Sequence, residues 1–268
     1  MKRFLIAAAT TFVLAALAVP PVFAQVSLAG GDLIKAGGNA SVYYFGHDGK
    51  RYVFPNDRTY FTWYADFNAV KTIPSEQLSG IPLGGNATYR PGTRMVKITT
   101  DPKVYAVSKN GILRPIASEA VASALYGAAW SKMVDDVPDA FFVNYRVGEP
   151  VASAGDYDKA ALMGGVPTIS IDKLLVAPPT GYVDYRQTSG FSPQSMTLAP
   201  GTKVTWIALD GSLPFVASNP HPTHTDQSGL QSGTLRMGET FSYTYAQTGI
   251  WGYHNHNATS QIGNVTIQ

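Results

Sequence analysis

Four of the chain's five histidines fall within one short stretch, in two close pairs: His221-Pro222-Thr223-His224 and His254-Asn255-His256. The chain contains no cysteine. Disulfides, thiolate nucleophiles and thiolate metal ligands are therefore excluded, and imidazole, carboxylate and hydroxyl groups are left to carry any chemistry. Neutral imidazole suits Cu(II), Zn(II) and Ni(II), and an all-nitrogen set without a soft ligand favours Cu(II) over Cu(I). In an extended strand His254 and His256 share a face, because side chains alternate with a period of two. His221, His224, His254 and His256 then form one metal site if the loop bearing the first pair folds toward that strand. Asp226 is placed to orient a ligand through its free ring nitrogen. The fifth histidine, His47, stands beside a turn and reads as an exposed turn residue.

The elements around the histidines read as short strands between turns: Gln194 to Leu198, Lys203 to Ala208, Glu239 to Tyr245, Ile250 to His256 and Gly263 to Ile267. Phe241, Tyr243 and Tyr245 alternate with Ser242 and Thr244, and Pro200-Gly201, Asp210-Gly211 and Thr248-Gly249 supply turns. Alternation punctuated in this way predicts a small antiparallel sandwich or barrel.

Three motifs sharpen that expectation: Gly190-Phe191-Ser192-Pro193, Leu198-Ala199-Pro200-Gly201-Thr202-Lys203-Val204-Thr205-Trp206 and Thr248-Gly249-Ile250-Trp251-Gly252-Tyr253-His254. Together they resemble the plastocyanin-like cupredoxins, over about Tyr182 to Gln268. The resemblance implies an all-β Greek-key sandwich and copper as the metal, with zinc as the alternative. It also implies a blue site of two His, one Cys and one Met, and here the sequence departs from it. Asn255 stands where the Cys is expected, the later His and Met positions fall near Ala258 and Gln261, and the upstream His position falls near Pro214. Without thiolate no blue site forms, so fast electron transfer of the plastocyanin kind is not supported. The run from Trp251 to His256 is also similar to the His-x-His stretches of multicopper oxidases, without the other domains of those enzymes.

Upstream, a faint repeat runs through residues 30–150. Val42-Tyr43 recurs as Val104-Tyr105, Asp48-Gly49 as Asn110-Gly111 and Tyr64 as Tyr126, all at an offset of 62 residues; Ile73-Pro74 returns slightly later as Val137-Pro138. Each half reads as a hairpin followed by a helix, which makes this an α+β duplicated hairpin-helix domain. Asp-Gly and Asn-Gly suit tight hairpin turns. Ser118 caps a helix that carries Val121, Leu125 and Ala129 on one face. The aromatic residues between Tyr43 and Phe67 are expected to pack a core rather than to bind glycans. Residues 151–181, rich in Pro, Gly, Ala and Ser, read as a connector to a second domain at 182–268.

Residues 1–24 read as a secretory signal, with Lys2 and Arg3 before an apolar run and Val22-Phe23-Ala24 as the cleavage site. The apolar run ends at Pro20-Pro21, too short for a spanning helix. Without Lys2 and Arg3, 18 basic residues face 18 acidic ones, a balance that offers nothing to nucleic acid or anionic lipid. The sequence therefore predicts a secreted or envelope-located, cupredoxin-like protein that binds a metal ion without turnover, the repeat domain contacting a cell-envelope component. A small copper-dependent oxidase or dismutase and a metal-free envelope adhesion protein are the alternatives.

Overall fold

The computed structural model of the protein describes residues 25–176 and 180–268. The expected signal at 1–24, and the stretch Ala177-Pro178-Pro179 of the expected connector, lie outside the described residues. The described chain is mostly β-structure with several sheets and few, short helices.

The first sheet holds Leu33–Ala36 (β1), Tyr43–Phe45 (β2), Arg51–Val53 (β3), Val70–Ile73 (β4) and Leu83–Asn86 (β5), in the order β4-β1-β2-β3-β5. The second holds Met95–Ile98 (β6), Asp101–Ser108 (β7), Ile112–Pro115 (β8), Val134–Val137 (β9) and Arg146–Val147 (β10), in the order β10-β8-β7-β6-β9. Read from its other edge, the second order is the first with every strand moved on by five. The flanking strands join in parallel in both sheets, β4 on β1 and β9 on β6, β5 on β3 and β10 on β8. Each half is thus a five-stranded sheet and not a hairpin with one helix. β-Branched segments such as Val70-Lys71-Thr72-Ile73 leave the hairpin and return to its open edge, which pairs backbone groups that a lone hairpin would expose.

The expected turns have a clear physical basis. Asn110 and Gly111 adopt φ of 60° and 66° between β7 and β8, and Gly49 adopts 74° between β2 and β3, conformations open to Asn and Gly at low steric cost. Ser118 accepts from the Val121 N–H and starts the helix Glu119–Tyr126. That helix ends at Gly127, with φ of 85°, so Ala129 does not extend its apolar face. In the first half, Asn56 caps only the short helix Asp57–Phe61, as expected where aromatic and β-branched residues weaken helix propensity. Tyr44, Tyr52, Phe54 and Tyr60 are buried in the core of the first sheet, while Phe61 and Phe67 are each 49% exposed.

The segment expected as a connector is packed. Asp158 caps the helix Lys159–Gly165 and Thr168 caps Ile169–Asp172, and Ala161, Leu162, Ile169 and Ile171 are buried. Its glycines serve close contact: a Cβ on Gly165 would stand 2.7 Å from the Tyr182 ring. Asp172 is buried and accepts from the Asn110 N–H at 2.8 Å and the Thr88 hydroxyl at 3.0 Å, which ties the segment to both sheets. Burial pushes its carboxyl above the usual range, although Lys173 and these hydrogen bonds pull it down.

The last part of the chain is a two-sheet sandwich. Tyr182–Arg186 (β11), Gly190–Ser192 (β12), Lys203–Ala208 (β14) and Thr240–Thr244 (β17) form one sheet; Ser195–Leu198 (β13), Phe215–Ser218 (β15), Gln231–Thr234 (β16), Gly249–Asn255 (β18) and Ala258–Ile267 (β19) form the other. The sheet orders are β12-β11-β14-β17 and β13-β19-β18-β15-β16. The sandwich is not wholly antiparallel: β11 lies parallel to β14 and β13 parallel to β19. Trp206, fully buried, meets the Tyr253 ring edge-on at 5.2 Å, and Val183, Phe191, Val216 and Val265 close the core around them. Among the described residues, no helix is long and apolar enough to cross a membrane.

Two ion pairs join the repeat sheets to the sandwich, Arg114 with Glu239 at 3.6 Å and, more deeply buried, Lys109 with Asp184. Lys109 Nζ meets both Asp184 carboxylate oxygens, at 2.6 and 2.7 Å, with side chains only 3% and 9% exposed. Burial raises the Asp184 carboxyl above its ordinary range, against the pull of the Lys109 ammonium. Removing one partner of a buried pair strands the other charge, at about 3–5 kcal/mol. Urea denaturation of Lys109→Met should show a loss of that order, largely recovered when Asp184→Leu is added; a Lys109→Met protein as stable as the parent would contradict this account.

Candidate metal centre

Strand β18 fixes the centre. It pairs with β15 through Val216↔Asn255, Ala217↔His254 and Ser218↔Tyr253. Tyr253 lies in the sandwich core. The buried Asn255 amide accepts from the Phe215 N–H at 2.9 Å and the Asn257 N–H at 3.1 Å, and donates to Tyr185 Oη at 2.8 Å and Gln261 Oε1 at 3.1 Å. The residue standing at the expected Cys position is therefore a fully engaged structural amide. His254, between these two, takes the opposite face. The ladder shifts register between His254 and Asn255, and the His256 N–H returns to Phe215 O at 2.7 Å.

The loop after β15 folds back over this face. The Asp226 N–H donates to Asn219 O at 2.9 Å, the His224 N–H to Pro220 O at 2.8 Å and the Ser218 N–H to Leu230 O at 3.0 Å. These bonds bring the first histidine pair onto the second. His221 has ring centroids 5.4 Å from His254 and 4.9 Å from His256; His224 lies 5.2 and 4.9 Å from the same two rings. His221, His254 and His256 each offer a ring nitrogen within 4.8 Å of the others. Nitrogens bound at about 2.0–2.1 Å on one ion lie at most about 4 Å apart. His221 is exposed. His224 stands beside the three, its Nε2 3.1 Å from Nδ1 of His256. His47 is not among the clustered rings: it is exposed, and its Nδ1 lies 2.8 Å from Ser170 Oγ.

The electrostatics favour neutral rings. Burial lowers the pKa of His254, and the neighbouring His224, His221 and His256 lower it further; His224 is lowered by burial, then by His256 and His221. Both rings therefore keep a lone pair at neutral pH. His254 Nδ1 lies 3.0 Å from Asn219 Oδ1, and because an amide oxygen only accepts, Nδ1 carries the proton. The lone pair is thus on Nε2, which is buried without any hydrogen-bond partner. A polar nitrogen left so costs about 1–3 kcal/mol. A cation held by His254 Nε2 would satisfy it, so the residues fit a metal ion.

Asn219, invisible as a functional residue in the sequence, does what was expected of Asp226. Asp226 is exposed, and among the described residues its carboxylate bonds no histidine. One trace of this contact exists in the sequence: Gly252. A Cβ there would stand 2.2 Å from Asn219 Nδ2, so the strand holds a glycine where the amide crosses it.

No protein-family model matches the sequence, and no curated protein is similar to it. Among solved structures, the chain is similar to a purple cupredoxin from Nitrosopumilus maritimus, at 19% identity over 33% of this chain and 99% of that one, with a TM-score of 0.30. It is also similar to an oxidised amicyanin mutant (18% identity, 32% of this chain, 80% of that one, TM-score 0.29) and to a Cu(I) amicyanin mutant (19%, 32%, 80%, TM-score 0.29).

The Gly252 contact gives a direct test. Gly252→Ala should lower stability by about 1–3 kcal/mol, the usual cost of overpacking. In an Asn219→Ala background the same change should cost far less, because the crowded amide is gone. Equal costs in both backgrounds, measured by thermal unfolding, would show that the amide does not lie over the strand.

Proposed function

We propose that this is an exported protein whose sandwich domain binds one transition-metal ion, copper, at the histidine cluster. The observation that carries the reading is the buried, unpartnered Nε2 of His254, in a ring whose other nitrogen is held by Asn219. His221, His254 and His256 are the convergent ligands, with His224 in contact with His256 as the fourth ring of the site. An all-imidazole set is suited to Cu(II) and also to Zn(II); the motifs shared with plastocyanin-like cupredoxins favour copper. Bound there, the ion would supply a Lewis-acidic, one-electron redox centre without thiolate character.

Export rests on the leader-like residues 1–24, and the absence of cysteine is compatible with any compartment. The matching strand orders of the first two sheets support reading residues 30–150 as a duplicated unit, whose half-exposed Phe61 and Phe67 suit contact with an envelope component. A second reading, a small copper-dependent oxidase or dismutase, is favoured by the exposure of His221, since catalytic metal sites keep a position open to substrate whereas structural ones are closed.

Metal analysis and electron paramagnetic resonance of the chain beginning at Gln25 test the proposal. One Cu(II) per chain with imidazole-nitrogen couplings is expected, and none after His254→Ala with His256→Ala. A wild-type protein that stays metal-free when offered Cu(II) and Zn(II) would overturn it. Oxidase or dismutase turnover lost in the same double variant would select the enzyme reading.

A further inference from the structure

We infer that His224 is not a fourth ligand: it is the positioning partner of His256, as Asn219 is of His254, so that both strand histidines hold a metal ion through Nε2. This rests on the reading of the cluster as a metal site and assigns the role of each nitrogen in it.

Directions, not distance, separate the two roles. Two nitrogens bound to one ion lie about 2.9–3.4 Å apart, so the 3.1 Å between His256 Nδ1 and His224 Nε2 is compatible with either role. The two rings, however, meet in hydrogen-bonding geometry. One nitrogen must then carry a proton aimed at the lone pair of the other, whereas two ligands aim both lone pairs at a common point. That pair of atoms cannot serve one ion together. The convergent set is accordingly His221, His254 and His256, without His224.

At His254 the same division is explicit. Nδ1 donates to Asn219 Oδ1, and the buried Nε2 is left for the ion. Applied to His256, the division makes Nδ1 the donor and His224 Nε2 the acceptor. A hydrogen bond on the far nitrogen fixes the tautomer and the ring plane of a ligand and raises its basicity. The backbone supports this use of His224. It is held at φ of 52°, in the left-handed region, by its N–H bond to Pro220 O, and its side chain is buried. A surface residue has no need of such a conformation, which persists only where its surroundings enforce it. The ion is left with three protein nitrogens, a ligand count typical of metal sites that admit an outside ligand.

Long-range proton–nitrogen NMR of the metal-free, nitrogen-15-labelled chain at pH 7.5 reads the tautomers without any ion. The expected pattern is protonated Nδ1 on His254 and His256 and an unprotonated Nε2 on His224. A protonated Nε2 on His254 or His256 overturns the inference, whether or not the protein binds metal. With Cu(II) bound, the paramagnetic resonance spectrum should show three directly coupled imidazole nitrogens, unchanged in number in His224→Gln, which keeps an acceptor, and in His224→Ala. His224→Ala should weaken Cu(II) binding about 10–100-fold, with His224→Gln restoring most of it. Four coupled nitrogens in the wild type, falling to three in either variant, would make His224 a ligand and overturn the inference. A wild type that takes up no Cu(II) would instead refute the metal reading and leave the tautomer result standing.

Discussion

The opposition of faces along Tyr253-His254-Asn255 governs the sandwich and its histidine site together. Tyr253 is committed to the core by its edge-on contact with Trp206, and the Asn255 amide is held by four hydrogen bonds, one of them to the core residue Tyr185. Because consecutive strand residues face opposite ways, His254 has no freedom: it must stand on the outer face. The position of the imidazole is set by core packing, and a shift of one residue in the β15–β18 register would bury it in the sandwich and expose Tyr253.

The rest of the site is built onto that fixed point by the loop after β15. Its own backbone hydrogen bonds fold it over the strand. It delivers Asn219 to one nitrogen of His254 and brings His221 and His224 to the cluster. A buried imidazole among three others is disfavoured as a cation, so the arrangement that gathers the rings also keeps His224 and His254 neutral. Packing, hydrogen bonding and electrostatics act in one direction, toward lone pairs available to a metal ion.

What could be read from the sequence follows physical locality. The alternation around Phe241, Tyr243 and Tyr245, the Asn110-Gly111 turn and the Ser118 cap are local signals, and the structure contains the corresponding elements. The clustering of the histidines was legible because the absence of cysteine left few groups for chemistry. The role of Asn219 was not, since a contact between side chains 35 residues apart leaves no pattern along the chain. The short strands Phe215–Ser218 and Gln231–Thr234 were missed because Phe-Val-Ala-Ser and Gln-Ser-Gly-Thr carry no alternation of apolar and polar residues. The parallel edge strands were missed for a related reason: their pairing is set by where the chain returns. Residues 151–176 misled most. Small residues there read as a connector, yet Asp172 and the glycines near Tyr182 tie it into the fold, which composition alone does not distinguish.

The position of a bound ion is the most direct measure of this site. Crystals of the mature chain grown with Cu(II), with diffraction recorded on either side of the copper absorption edge, should show one anomalous peak per chain within bonding distance of His221, His254 and His256, adjoining Nε2 of His254. A peak elsewhere on the protein, or none at this cluster with Cu(II) in excess, would contradict it.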